Sequence, residues 1–155
     1  MCRLAWIVAL VFLLAFGGMF YKFVLSGDVV TTRDGRKALQ LSPGERALVL
    51  AEMRQFLAAV QGIVKAVNER DLKAAARTAR AVGQASVKTV PASLMGKLPL
   101  SFKRLGLATH QAFDRLALDA EQLGDPEHSL GQLATLMQHC VGCHAVYRID
   151  APAAP

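Results

Sequence analysis

SPGERALVLAEMRQFLAAVQGIVKAV, residues 42–67, opens with a helix-start signal and continues as a helical packing seam. Ser42 is an N-cap, Pro43 takes the first helical position and Glu45 completes a capping box. Behind them Val49, Met53, Phe56, Val60, Ile63 and Val67 recur at spacings of 4, 3, 4, 3 and 4. That rhythm puts one apolar stripe on one side of a long helix, which must pack on other helices to bury it.

Toward the C-terminus the same signals repeat. Asp71 caps a second helix over 72–82 whose inner face is mostly alanine, and Gly83 ends it. Residues 84–98 (QASVKTVPASLMGKL) lack periodicity, contain Pro91 and Gly96, and read as a long connection. A third helix runs from Pro99 to Leu123, with Phe102, Leu105, Thr109, Ala112, Phe113, Leu116, Ala120 and Leu123 as its inner stripe. Gly124 stops it, and Asp125-Pro126 caps a fourth helix. Leu130, Leu133, Met137, Cys140 and His144 share a face there, which Tyr147 extends. Four helices joined by short loops and one long connection predict a four-helix bundle over residues 42–148, with a disordered tail over 149–155.

Toward the N-terminus, Val29 to Thr32 and Lys37 to Leu41 flank Arg33-Asp34-Gly35-Arg36, which predicts a small β-hairpin within a linker over 28–41. Before it, Leu4 to Tyr21 is unbroken by charge. Eighteen to 22 helical residues reach roughly 27–33 Å, the thickness of a bilayer core. No small-x-small site ends the run, so residues 1–27 read as an uncleaved transmembrane anchor in preference to a cleaved signal. Charge does not orient it, because Arg3 precedes the run and Lys22, Arg33, Arg36 and Lys37 follow.

The chain of 155 residues carries a net charge of +6, and without Arg3 and Lys22 the remainder carries +4. These charges are scattered and no basic run is interleaved with aromatics, which argues against nucleic acid as a partner. Of three cysteines, Cys2 sits at the start of the anchor as an inert thiol, which leaves Cys140 and Cys143 and excludes a disulfide scaffold.

Cys140-Val141-Gly142-Cys143-His144 spells C-x-x-C-H, the attachment signature of a c-type haem. Each thiol can add to a haem vinyl group, and the adjacent imidazole can ligate the iron. Zinc would need four converging ligands, and a redox dithiol of thioredoxin type would need a βαβ context that is missing. Covalent haem is attached outside the cytoplasmic membrane, so the domain is expected to face the periplasm from a single pass through a bacterial inner membrane.

A helical pattern of this kind with C-x-x-C-H on its last helix resembles the class II cytochromes c, the cytochrome c prime group and its low-spin relatives. The likeness covers residues 42–148. It implies an all-α four-helix bundle with one haem c held covalently by Cys140 and Cys143, and His144 as proximal iron ligand. Met53 matches the distal position that holds methionine in low-spin members. The family commonly has an arginine one turn before that position; here Val49 stands there and Arg54 follows Met53, as a candidate partner for a haem propionate or an ordinary exposed residue. Lys97, Lys103 and Arg104 are weaker candidates for that role. Met95 and His110 are lesser candidates for the iron, Met137 reads as packing, and His128 and His139 as local hydrogen-bonding groups.

The function expected on this basis is single-electron transfer by a His/Met-ligated iron, without enzymatic catalysis, to or from a redox protein in the periplasm or inner membrane. The alternative is a five-coordinate haem that binds nitric oxide or another diatomic gas, with Met53 as packing. A structural or assembly subunit of a larger membrane complex is a third reading. Class II bundles often pair through their helices, so the resemblance also allows a homodimer.

Overall fold

The computed structural model describes residues 2–150, apart from the side chains of Cys2, Lys88 and Thr89. Helix α1 (Cys2–Phe20) continues as a wider π-type turn over Tyr21–Ser26, followed by strands β1 (Val29–Thr31) and β2 (Lys37–Leu39). Helices α2 (Pro43–Asn68) and α3 (Leu72–Ala81) precede a short 3₁₀ segment over Gln84–Thr89. Then come α4 (Ala92–Lys97), α5 (Leu100–Leu123), α6 (Pro126–Val146) and β3 (Tyr147–Arg148). The fold is mostly helical, with six α-helices and a small three-stranded sheet among the described residues.

The helix starts are made by the expected chemistry. The Ser42 hydroxyl accepts from the Glu45 N–H at 3.4 Å while the Glu45 carboxylate accepts from the Ser42 N–H at 2.9 Å. Asp71 accepts from the Ala74 N–H at 2.8 Å, and Asp125 from the N–H groups of Glu127 and His128. Each bond satisfies a donor that the first helical turn leaves open. Gly124 ends α5 with φ 61°, a conformation that a side chain disfavours.

Packing closes a ring: α2 lies on α3, α3 on α5, α5 on α6, and α6 returns more loosely to α2. Ala75, Ala76 and Ala79 of α3 are fully buried, and their small size brings α3 close to its neighbours. The main core gathers Phe56 and Ile63 from α2, Phe113 and Leu116 from α5, and Leu133 and Leu136 from α6. Phe56 and Phe113 stack with ring centroids 5.5 Å apart. A second apolar cluster of Leu39, Val49, Leu94, Leu98 and Tyr147 fills the end where β2, α4 and β3 meet α2.

Several expectations change. The predicted hairpin forms, with Val29 opposite Leu39 and Thr31 opposite Lys37, but β3 joins it in parallel and makes a third strand. Tyr147 therefore leaves the helix: its ring is buried edge-on to Phe102 and its hydroxyl lies 2.5 Å from the Ser101 hydroxyl. Two residues of the predicted disordered tail are held in place: Ile149 packs on the second cluster and Arg46 donates to the Asp150 carbonyl at 3.1 Å. Residues 151–155 of that tail lie outside the described residues, as does the side chain of Cys2. The 84–98 connection is folded, with Leu94 buried within the short α4 and Leu98 buried just after it. Leu123, expected inside, is exposed, whereas His110, expected beside the stripe, is buried.

Among the described residues two helices are long and apolar enough to cross a membrane, Arg3–Ser26 and Pro43–Asn68. They differ in use. None of the first is buried inside the structure, whereas α2 turns its seam into the core. The N-terminal helix meets the rest at Gly27, where φ is 65° and an added Cβ would lie 2.4 Å from Pro99 N and 2.5 Å from the Lys97 carbonyl oxygen. Beside it the Asp28 N–H donates to that carbonyl at 2.6 Å, and Lys103 donates to the Phe23 carbonyl at 3.2 Å. Only glycine fits such a close backbone approach.

Two outcomes are expected in thermal unfolding of the full chain in detergent. Gly27→Ala should cost about 1–3 kcal/mol, seen as a lowered midpoint, from its left-handed backbone and the clash with residues 97–99. The Lys97 ammonium, 2.6 Å from Glu45, and the Ser42 N–H hold the Glu45 carboxyl at about 2, against an ordinary 4.5. Its stabilisation is thus complete above the ordinary carboxyl range and is lost as pH falls toward 2. Glu45→Gln should flatten that part of the acid unfolding profile, and an unchanged profile would refute the assignment.

Candidate functional site

The inward stripe of α6 is Ser129, Leu133, Leu136, Cys140 and Cys143, with spacings of 4, 3, 4 and 3 between them, and Tyr147 of β3 follows four residues on. The expected face shared by Leu130, Met137 and His144 is rotated outward from it. Ser129 takes an inner position because its hydroxyl donates to the Asp125 carbonyl at 2.9 Å and so is satisfied when buried. Cys140 and Cys143 are half-buried free thiols on this inner stripe, and His144 is exposed beside it.

Two flanks of α6 can be told apart. His139 lies 3.4 Å from the Thr109 hydroxyl and Gln132 bonds Asp119, so both mark the flank against α5. Leu130, Met137, Val141 and His144 lie on the opposite flank and are exposed. Helix α2 has a matching flank. Gly62 abuts Thr78 of α3, whereas Met53, Leu57, Val60 and Val64 lie on the other side. Leu57 is 71% exposed, Val64 45%, Val141 71% and Met137 42%, so these apolar flanks are largely uncovered.

Met53 is half-buried and packs against both apolar clusters. Cys143 packs against the second of them, as do Met95 and Phe102. Met53, Met95 and Cys143 thus border one apolar region, while His144, next in sequence to Cys143, is exposed. Arg54 is exposed on the outside of α2 and takes no part in this region. His128 pairs with Asp119 at 3.3 Å on the surface.

Burial pushes the thiols of both Cys140 and Cys143 up, and for Cys143 the neighbouring Cys140 adds to the effect. Both also lie in the last turns of α6, at the negative end of the helix dipole. A redox dithiol needs the opposite, a stabilised thiolate. No group of three or more His, Cys, Asp or Glu side chains converges among the described residues.

His110 is the polar residue whose setting the sequence concealed. Its Nδ1 lies 2.8 Å from the Val82 carbonyl oxygen, its Nε2 lies 3.4 Å from Glu52, and its ring tilts on Phe56 at 5.0 Å. Burial opposes its charge, but Glu52 and the Val82 carbonyl outweigh that and raise its pKa. The available signal was spacing: His110, Phe113, Ala117 and Ala120 form a buried helical stripe, slightly rotated from the one expected.

In the chain without haem, Cys140 and Cys143 should alkylate with iodoacetamide at neutral pH several-fold more slowly than a free thiol. The rate should climb only above the ordinary thiol range, because a raised pKa leaves less thiolate. Fast labelling at pH 7 would instead support a redox dithiol. Comparison with protein-family models, with curated proteins and with solved structures finds no match to this chain.

Proposed function

We propose that the chain is a membrane-anchored c-type cytochrome with one covalent haem, carrying single electrons on the periplasmic face of a bacterial inner membrane. The observation that carries this reading is the placement of the motif. Cys140 and Cys143 lie on the inward stripe of a capped helix, and Cys143 borders the same apolar region as Met53. The ring of α2, α3, α5 and α6 then reads as a four-helix bundle that offers the haem a largely apolar setting between α2 and α6.

When bound, the haem supplies an iron that changes by one electron between ferric and ferrous states. The chain's own residues do the rest. Cys140 and Cys143 hold the macrocycle through thioether bonds, and their raised thiol pKa keeps them protonated rather than metal-binding until then. His144 would supply an imidazole to the iron and Met53 a thioether. A thioether ligand favours the reduced iron and raises the potential, which suits a carrier. The uncovered apolar residues Leu57, Val64, Met137 and Val141 would exclude water from a haem held beside them. The N-terminal helix fixes the domain beside the bilayer, where a redox protein can dock. Arg54 is left facing solvent, available to such a partner.

An absorption spectrum of the purified protein tests the assignment. Covalent haem should survive acid extraction in the wild type and be lost in the double variant Cys140→Ser/Cys143→Ser. The ferric protein should be low-spin with the red sulfur-to-iron charge-transfer band, and Met53→Leu should abolish that band without unfolding the chain. A high-spin wild type unaffected by Met53→Leu would replace electron transfer with the gas-binding alternative.

A further inference from the structure

A cleft of about 220 Å3 opens between α2, the 84–98 connection and α5. Its walls include Val49, Leu98 and Phe102, and against them stand the polar groups of Glu52, Gln55 and the buried His110. Apolar walls with a few converging polar groups are the make-up of a small-molecule site.

Two placements narrow the occupant. The first is proximity to the N-terminal helix. Lys103, a wall residue, donates to the Phe23 carbonyl at 3.2 Å, and Gly27 presses on the backbone of Leu98. A molecule dissolved in the membrane therefore reaches the cleft at the end of that helix. The second is proximity to the motif: Val49, Leu98 and Phe102 also belong to the apolar region on which Met53 and Cys143 pack. One layer of side chains is shared between the two.

We propose that this cleft binds the ring of a membrane-resident quinone or its quinol. The assignment rests on the membrane-anchored haem reading, for which such a molecule is a source or sink of electrons within the bilayer. Glu52, held by His110 at 3.4 Å, accepts a hydrogen bond from a ring hydroxyl, and the Gln55 amide donates to a ring oxygen. A plain acyl chain would lay methylenes against the Glu52–His110 pair and remove water from it with no hydrogen bond in return, which is costly.

The test uses the full-length chain in detergent and a decyl-substituted benzoquinone as probe, with binding read by equilibrium dialysis. Gly106 lines the cleft, and a Cβ added there meets nothing within 4 Å, so Gly106→Leu fills the space without a clash at its base. Replacing a glycine inside a helix also favours the helix. The expected result is saturable one-site binding by the wild type, weakened at least tenfold in Gly106→Leu with no fall in unfolding temperature. Gln55→Leu should weaken the probe severalfold as well. Absence of saturable binding, equal binding by Gly106→Leu, or full displacement of the probe by a phospholipid at equal concentration would overturn the proposal. Binding requires no haem, so a chain that binds the probe yet carries no haem would refute the carrier reading while upholding the cleft. A haem-loaded chain that does not bind would do the reverse.

Discussion

The second apolar cluster depends on Tyr147 leaving the helical path and burying its ring against Phe102. An aromatic of that size must bring its polar tip to a partner, and Ser101 supplies one at 2.5 Å. With the ring fixed, the backbone of 147–148 is extended and its hydrogen bonds go to β2. That pairing holds the hairpin on the helices, since two strands alone are marginal in water. The charged residues around it follow: Arg148 lies 3.2 Å from Asp34 in the hairpin turn and 2.5 Å from Asp150. The apolar region next to Cys143 and Met53 is closed by the same residue.

What could be read directly was local chemistry. The Ser42–Glu45 box, the Asp71 and Asp125 caps, the stop at Gly124 and the Asp-Gly hairpin each need only a few adjacent residues, and all take the expected form. The phase of α6 was not legible in this way. Leu130 and Met137 compete with Leu133 and Leu136 for the inner position, and periodicity alone favours neither flank. The choice falls to Ser129, whose hydroxyl is satisfied inside its own helix, and to Tyr147 beyond the helix end. A serine counted as polar and a tyrosine counted as helical both misdirect the pattern. Likewise α4 is too short to show a period, and Leu94 and Leu98 are buried by tertiary contacts that no local signal encodes.

The candidate site divides along the same line. Cys140, Cys143 and His144 are legible as a motif because their chemistry is fixed by spacing. Met53 is visible only as one member of a seam; its position between two apolar clusters comes from the fold. Arg54 was named for its charge and its neighbour, yet on a helix adjacent residues point about 100° apart, so a seam methionine sends the next residue outward. His110 and Glu52 sit on different helices and meet only when α2 and α5 lie side by side.

The parallel pairing of β2 with β3 joins segments made at opposite times in synthesis. Arg46 and the Asp150 carbonyl, which meet in the same corner, are 104 residues apart. A chain emerging from its N-terminus holds β1 and β2 ready long before β3 exists, and such distant contacts form last. The corner that borders Cys143 therefore closes only when these two distant segments meet, so a change in β1 or β2 is felt at the far end of α6.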